Sequence, residues 1–288
     1  MKTAFKKDEP MKDHTTFRIG GTAGMFLMPA NEAELAEALT EYPSALIMGG
    51  GSNLLVSDLG VDAVISTRGL REISSSTEPD GTTLATIGAG YGLTALSRWA
   101  YERRLSGLEF AFGIPGSVGG AVVMNAGAFG GEVKDRLVSA RLFVDGRFET
   151  VEASRLGLSY RSSGLPKGAV VASAGFRLMA GVAKEIHKLM SESLAKRRLS
   201  QPLEYPSAGS VFKNPPGLFA GKIIEELGLK GQMVGDAQIS EKHSNFIVNL
   251  GNATAGQVMA LIKNVEAAAG GAGIKLEREI RLAGSFNS

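Results

Sequence analysis

The chain has 288 residues, 44% hydrophobic and 21% charged, with a formal net charge of +2. Those proportions are ordinary for a soluble globular protein with room for two or three domains, and the charge leaves no broad footprint for nucleic acid or an anionic membrane. Cysteine is absent, which excludes disulfides, thiolate nucleophiles, Fe–S clusters and thiolate zinc sites.

The first residues, MKTAFKKDEPMKD, carry positive charge with no apolar core behind it and do not read as a signal peptide. No apolar run approaches the ~20 residues of a membrane span. A cytoplasmic protein without membrane or nucleic-acid partners is expected, and a monomer, since no exposed heptad or long apolar edge is visible. His14, His187 and His243 lie far apart without metal-ligand spacing. Each reads as solvated or locally bonded, and no metal site is expected.

Thr15-Thr16-Phe17-Arg18-Ile19-Gly20-Gly21 opens the folded part in this reading. Arg18 could face an anionic ligand or sit solvated on an edge strand. Asn31 and Glu34 have capping-box spacing, and the helix they start ends near Tyr42-Pro43. Ala45 to Met48 reads as a strand running into Gly49-Gly50-Gly51-Ser52-Asn53-Leu54. Leu54 to Val56 and Val61 to Ile65 read as further strands. This makes a small βαβ-type lobe with a glycine loop at a strand end, where α/β ligands usually sit. Thr82 to Ile87 is β-rich, and Leu93 to Arg104 is an amphipathic helix with Leu93, Leu96, Trp99 and Ala100 as core.

Gly113 to Gly130, GIPGSVGGAVVMNAGAFG, holds six glycines and no charge. A helix or strand interior would not carry so many, because each costs roughly 0.5–1 kcal/mol there relative to Ala. Glycine is useful where main-chain N–H groups approach a ligand or φ is positive, and the Asn125 amide can donate and accept. Tight turns between buried strands are the plainer reading. Two neutral glycine-dense loops in one chain favour a large ligand with a pyrophosphate. No complete G-x-G-x-x-G, Walker loop or G-x-S-x-G elbow occurs, so a dinucleotide here would need a fold other than Rossmann.

Leu137 to Val144, Phe148 to Val151 and Val170 to Leu178 alternate as strands of a mostly antiparallel sheet, with Asp145-Gly146 as a hairpin turn. Tyr160-Arg161 sits among hydroxyls, and Arg161 could grip a carboxylate or phosphate bidentately. Taken alone, a surface arginine is preferred. Ala183 to Leu199 is a helix with Ile186, Leu189, Met190 and Leu194 on one face, and Lys196-Arg197-Arg198 as an exposed end suited to the helix dipole. The prolines at 202 and 206 mark a domain boundary. The remainder reads as a compact α+β domain. It begins with Ala208-Gly209-Ser210-Val211-Phe212-Lys213-Asn214. A helix over 221–227, a strand over 245–250 and a helix capped by Thr254 and Gln257 follow. Ile274 to Leu282 alternates as a strand, and periodicity does not choose between Glu277 and Glu279 as a carboxylate turned to a cleft.

TTFRIGG, GGGSNLL, GIPGSVGGAVVMNAGAFG, SYRSS, AGSVFKNP and LEREIRLAG together resemble the UDP-N-acetylenolpyruvoylglucosamine reductases, also called UDP-N-acetylmuramate dehydrogenases. The segments lie in order across nearly the whole chain. The resemblance implies an α+β fold. It has a two-lobed FAD-binding domain of the vanillyl-alcohol-oxidase (PCMH) type, over 1–66 and 67–200, and a substrate domain over 201–288. It implies FAD contacts at Gly49, Gly50, Gly51, Ser52, Asn53 and Leu54, and at Gly113, Ile114, Pro115, Gly116, Ser117, Gly119, Gly120, Asn125, Ala126 and Gly127. Some relatives in the wider flavin group bind FAD covalently through histidine. No histidine is expected in or near either loop, so non-covalent FAD is expected.

The implied reaction has two halves. NADPH reduces FAD, and hydride then passes to C3 of the enolpyruvyl ether of UDP-N-acetylglucosamine. By resemblance Ser210 gives the proton to C2, Arg161 stabilises the enolate, and Glu279 is the family's carboxyl group. Tyr160, Lys213, Asn214 and Gln238 match segments implied in substrate contact. Arg278 stands where relatives often have proline, and the short span from Pro215 to Gln238 groups the chain with the shorter members, which lack an extra tyrosine-bearing loop. Two rivals remain: another flavin oxidoreductase on the same fold using oxygen, and a non-catalytic nucleotide-sugar-binding protein.

Overall fold

The computed structural model describes residues 3–286. In chain order the strands and helices begin with β1 (Ala4–Pro10), β2 (Thr22–Met28), α1 (Glu32–Glu41), β3 (Leu46–Met48), β4 (Leu54–Val56), β5 (Val61–Ser66), β6 (Ile73–Thr77), β7 (Thr83–Gly88), α2 (Leu93–Glu102) and β8 (Leu105–Ser106). Next come α3 (Val118–Val123), β9 (Gly127–Ala128), β10 (Gly131–Glu132), β11 (Leu137–Val144), β12 (Arg147–Glu152), β13 (Val170–Ala180) and α4 (Ala183–Ser200). The last are β14 (Ser207–Ser210), α5 (Ala220–Glu226), β15 (Met233–Val234), β16 (Ala237–Ile239), β17 (Phe246–Asn249), α6 (Ala255–Gly271) and β18 (Arg281–Ala283). No helix among the described residues is long and apolar enough to cross a membrane.

Two compact units divide the chain. The first takes residues up to Lys6, Phe26–Gly50 and Ala63–Lys196; the second takes Lys7–Met25, Gly51–Asp62 and the chain from Arg197. In the first, β12-β11-β13-β7-β6 form an antiparallel sheet, with β8 added to β13. The β11–β12 turn is made by Asp145 and Gly146, both at positive φ (49° and 76°), as a two-residue hairpin requires. β3 pairs in parallel with β5, Leu46 opposite Val64. Asn31 caps α1 by accepting the Glu34 N–H at 3.0 Å, while the Glu34 carboxylate reaches back to the Ala30 N–H. The expected core of α2, Leu93, Leu96, Trp99 and Ala100, is buried.

In the second unit β14-β17-β16-β15 form a four-stranded sheet packed on α6, whose Val258, Leu261, Ile262 and Val265 are all buried. Thr254 and Gln257 form the reciprocal capping box at its start. Phe17, Ile19 and Leu55 join this core, which also takes in Val211, Phe212, Leu276 and Ile280. β18 pairs in parallel with β4, Arg281 opposite Leu54.

Four expectations are corrected. The folded chain begins with β1, and Arg18 lies exposed in a loop at φ 54°, not on an edge strand. Residues 274–282 are not one strand: only 281–283 pair in a ladder, because the backbone of 277–280 bonds to the turn at 211–213. Leu189 is 48% exposed, because the buried face of α4 runs through Ile186, Met190, Ser193 and Arg197. Arg197 itself, read as part of an exposed basic end, is 6% exposed and donates through Nη1 to Gln201.

Candidate active site

Gly49 and Gly50 meet the second glycine run inside the first unit. A Cβ added at Gly49 would overlap the Ser117 hydroxyl, and one at Gly50 would lie 2.5 Å from the Gly116 Cα. The backbone contact excludes a side chain at Gly50, while one at Gly49 would force the Ser117 hydroxyl to turn away. Gly113 and Gly116 take φ of 81° and 117°. Gly119 and Gly120 sit inside α3, against the expectation that glycine would avoid a helix here. Gly119 is needed because a Cβ there would come within 2.8 Å of the Ala89 Cβ; its N–H already donates to the Ala89 carbonyl at 2.9 Å. Ser117 caps this short helix through the Gly120 N–H. A groove of about 370 Å³ runs beside the loop, lined by Thr94, Ala95, Arg98, Ile114, Pro115 and Gly116 among others.

Arg68, which sequence reasoning missed, donates through Nη2 to the Gly50 carbonyl at 2.8 Å, and burial lowers its pKa from the ordinary value. A guanidinium stays charged in such a place. Residues 49–54 and 113–120 contain no acidic side chain. In the first unit, main-chain groups and the Ser117 hydroxyl, with the half-buried Arg68 cation under Gly50, fit an anionic group.

Asn125 is fully buried at φ 40°. Its Nδ2 donates to the Glu132 carboxylate at 2.7 Å and to the Ser159 carbonyl at 3.1 Å, and its Oδ1 accepts the Lys134 N–H at 3.0 Å. The side chain is committed to the protein, which leaves the main chain for any cofactor contact. Ser159 and Ser162 exchange two backbone hydrogen bonds, so Tyr160-Arg161 forms the tip of a tight turn with Arg161 at φ 52°. Arg161 Nη2 donates to the Gly127 carbonyl at 2.8 Å, and its guanidinium lies 5.2 Å from the centroid of the exposed Tyr160 ring. The turn bearing Tyr160-Arg161 is therefore tied to the glycine run at two points.

Three of the other motifs meet in the second unit. Ser210 ends β14 opposite Phe246, after an irregular register and Gly209 at φ 77°. No side chain or backbone group among the described residues bonds its hydroxyl. The Val211 carbonyl accepts the Glu279 N–H at 2.8 Å, and Asn53 Nδ2 donates to the Glu279 carbonyl at 2.9 Å. Glu277 is the outer of the two carboxylates, highly exposed, with Lys213 Nζ on its Oε1 at 2.7 Å; Glu279 is half-buried. Asn214 Oδ1 caps α5 at the Ala220 N–H, and Gln238 on β16 donates to the Gly231 carbonyl at 3.4 Å. Arg278 is clamped to Glu266 of α6 through Nε and Nη2, and that bond raises its pKa from the ordinary value. A proline in its place could not make this clamp.

Residues 23–152 match the model of an FAD binding domain, and residues 201–283 match that of the UDP-N-acetylenolpyruvoylglucosamine reductase C-terminal domain. The reductase of Agathobacter rectalis is 50% identical over 97% of this chain and 94% of its own. That of Pseudothermotoga lettingae is 44% identical over 90% of each. The chain belongs to the UDP-N-acetylenolpyruvoylglucosamine reductase family. The crystal structure of the family's Thermus caldophilus enzyme superposes with a TM-score of 0.84 at 38% identity, covering 99% of this chain and all of that one. The expected α+β fold class, with its FAD-binding domain, stands, and the chain is an FAD-containing oxidoreductase of peptidoglycan precursor synthesis. A histidine does lie beside one glycine loop, against expectation. His14 is distant from Gly51 in sequence, but a Cβ at Gly51 would overlap the His14 carbonyl. The His14 ring turns to Glu9, at 2.8 Å.

Proposed function

We propose that this enzyme reduces UDP-N-acetylglucosamine enolpyruvate to UDP-N-acetylmuramate with NADPH as the electron source. Bound FAD would supply the chemistry of accepting hydride from NADPH and delivering it to C3 of the enolpyruvyl group. The loops at 49–54 and 113–127 are proposed to hold it without a covalent bond. Ser210 gives a proton to C2. Serine is a weak acid, so this role suits only a strongly basic carbanion or enolate. Arg161 balances the negative charge that develops on the enolate and carboxylate. Glu279 assists in its protonated or paired form, since a bare carboxylate would oppose that charge. Tyr160, Lys213, Asn214 and Gln238 are proposed substrate contacts, with Asn214 limited by its capping bond. A cytoplasmic monomer divided at 66 and 200 completes the reading.

The observation that carries it is that Val211, the residue directly after Ser210, accepts the Glu279 N–H at its carbonyl. The proposed proton donor and the proposed carboxyl residue are thus held by one stretch of backbone. Absorbance at flavin wavelengths tests the reading. Without oxygen, NADPH should bleach the enzyme, and UDP-N-acetylglucosamine enolpyruvate should restore the colour. Bleaching without recovery would leave a flavin reductase with another acceptor, and rapid recovery by oxygen alone would favour the oxidase alternative.

A further inference from the structure

Asn245 is 3% exposed and immediately precedes β17. Its amide carries both backbone groups of Phe212: Nδ2 donates to the carbonyl at 2.8 Å, and Oδ1 accepts the N–H at 2.9 Å. This reciprocal pair assigns the oxygen and nitrogen of the amide. The Asn245 carbonyl accepts the Val211 N–H at 2.8 Å. Pairing of β14 with β17, already irregular between Ser207 and Ser210, ends at Ser210 opposite Phe246. Beyond it, the Asn245 side chain makes the two bonds that another strand residue would have made. Val211 and Lys213 are in turn bonded to the segment that carries Glu279: the Val211 carbonyl to the N–H groups of Glu279 and Ile280, and the Lys213 N–H to the Glu277 carbonyl.

We infer that Asn245 is a positioning residue for the proton-transfer step, holding Val211 and Phe212 so that the Ser210 hydroxyl and the Glu279 backbone keep one arrangement. This rests on the donor role proposed for Ser210. Asn245 itself makes and breaks no covalent bond. Neither Ser210 nor Glu279 could be held equally well by an apolar residue at 245, because the Phe212 N–H and carbonyl would then be buried without partners. Aspartate is the informative replacement. An ionised carboxylate still accepts the Phe212 N–H but sets its second oxygen against the Phe212 carbonyl, whereas a protonated one can donate there.

The test uses the FAD-loaded enzyme, reduced by NADPH without oxygen, then mixed with UDP-N-acetylglucosamine enolpyruvate while flavin reoxidation is followed. Asn245→Asp should slow reoxidation by roughly tenfold or more at pH 8, recover as the pH is lowered toward 5.5, and leave flavin reduction by NADPH near the wild-type rate, since misplacing a reacting group by about 1 Å can cost ~10²-fold. Wild type should not share the recovery. In a Ser210→Ala background, Asn245→Asp should slow reoxidation no further. Independent, multiplying losses would overturn the inference, as would lower melting temperature with reoxidation unchanged at every pH. Wild-type reoxidation by Ser210→Ala with Asn245 intact would instead overturn the donor reading beneath it, and the two failures are read in different proteins.

Discussion

Arg161 and Gly127 are joined by a hydrogen bond of 2.8 Å from the guanidinium Nη2 to the carbonyl oxygen. One edge of the guanidinium is thereby fixed to the glycine run, which orients its fork. Lysine would keep the charge but has no fork and a compact, mobile ammonium. If Arg161 balances charge in the transition state, Arg161→Lys should slow reoxidation of the reduced enzyme by substrate about 100-fold, the lower end of the ~10²–10³-fold range seen when a preorganised donor is removed. Flavin content and reduction by NADPH should change little. A variant that loses FAD instead would assign Arg161 to holding the loop through Gly127.

Ser210→Ala removes one oxygen from a residue at the end of β14 and leaves the backbone pairing with Phe246 available. Flavin reduction by NADPH should stay near the wild-type rate. The second half-reaction should fall by ~10²-fold or more if a general acid has been lost. Equal slowing of both halves in stopped-flow traces would remove Ser210 from the donor role.

What was legible in the chain follows the range of the forces involved. β11 was expected over 137–144 and occupies those residues, and its hairpin turn was marked by Asp145-Gly146. The capping box at Thr254 and Gln257 was equally plain. These are local signals, written in residues a few positions apart. The shared neutrality of the two glycine runs pointed to one large ligand; that Gly50 packs against Gly116 was not written in the residues and is a finding of the fold. Arg68 and Asn245 were invisible because each acts on a distant main-chain group, the Gly50 carbonyl and the Phe212 peptide, and no periodicity announces such a bond. The alternation of 274–282 was real as burial, with Leu276 and Ile280 in the core. It was misleading as a ladder, because apolar alternation reports which face is buried and says nothing about where the backbone bonds go.

Gly50 and Gly270 make a matched pair for stability. A Cβ at Gly50 would press on the Gly116 backbone, which cannot rotate away. Gly50→Ala should destabilise by about 1–3 kcal/mol, the usual range for overpacking, and weaken FAD binding measured by recovery of free-flavin fluorescence. A Cβ at Gly270, in the last turn of α6, meets nothing within 4 Å. Gly270→Ala should stabilise by about 0.4–1 kcal/mol through the unfolded chain, with FAD affinity unchanged. Urea denaturation of the two variants checks both signs, and a Gly50→Ala protein with wild-type stability and affinity would contradict the packing of the loops.

His243 carries a pH dependence of known sign. Its Nδ1 accepts the Asn245 N–H at 3.3 Å, and its ring lies edge-on to Phe246 with centroids 4.8 Å apart. Burial lowers its pKa from the ordinary value near 6.5. Protonation would place a second N–H against the Asn245 N–H and charge a ring in an apolar setting. As the pH falls through about 6.5 the unfolded chain takes up a proton first. Stability is therefore intact above that value and is lost progressively below it, down to the depressed folded pKa. Urea midpoints measured from pH 7.5 to 5.5 should fall in the wild type, and His243→Gln, which cannot titrate, should flatten the fall over the same range. An unchanged slope in His243→Gln would assign the acid sensitivity to other groups and leave the ring as packing for Phe246.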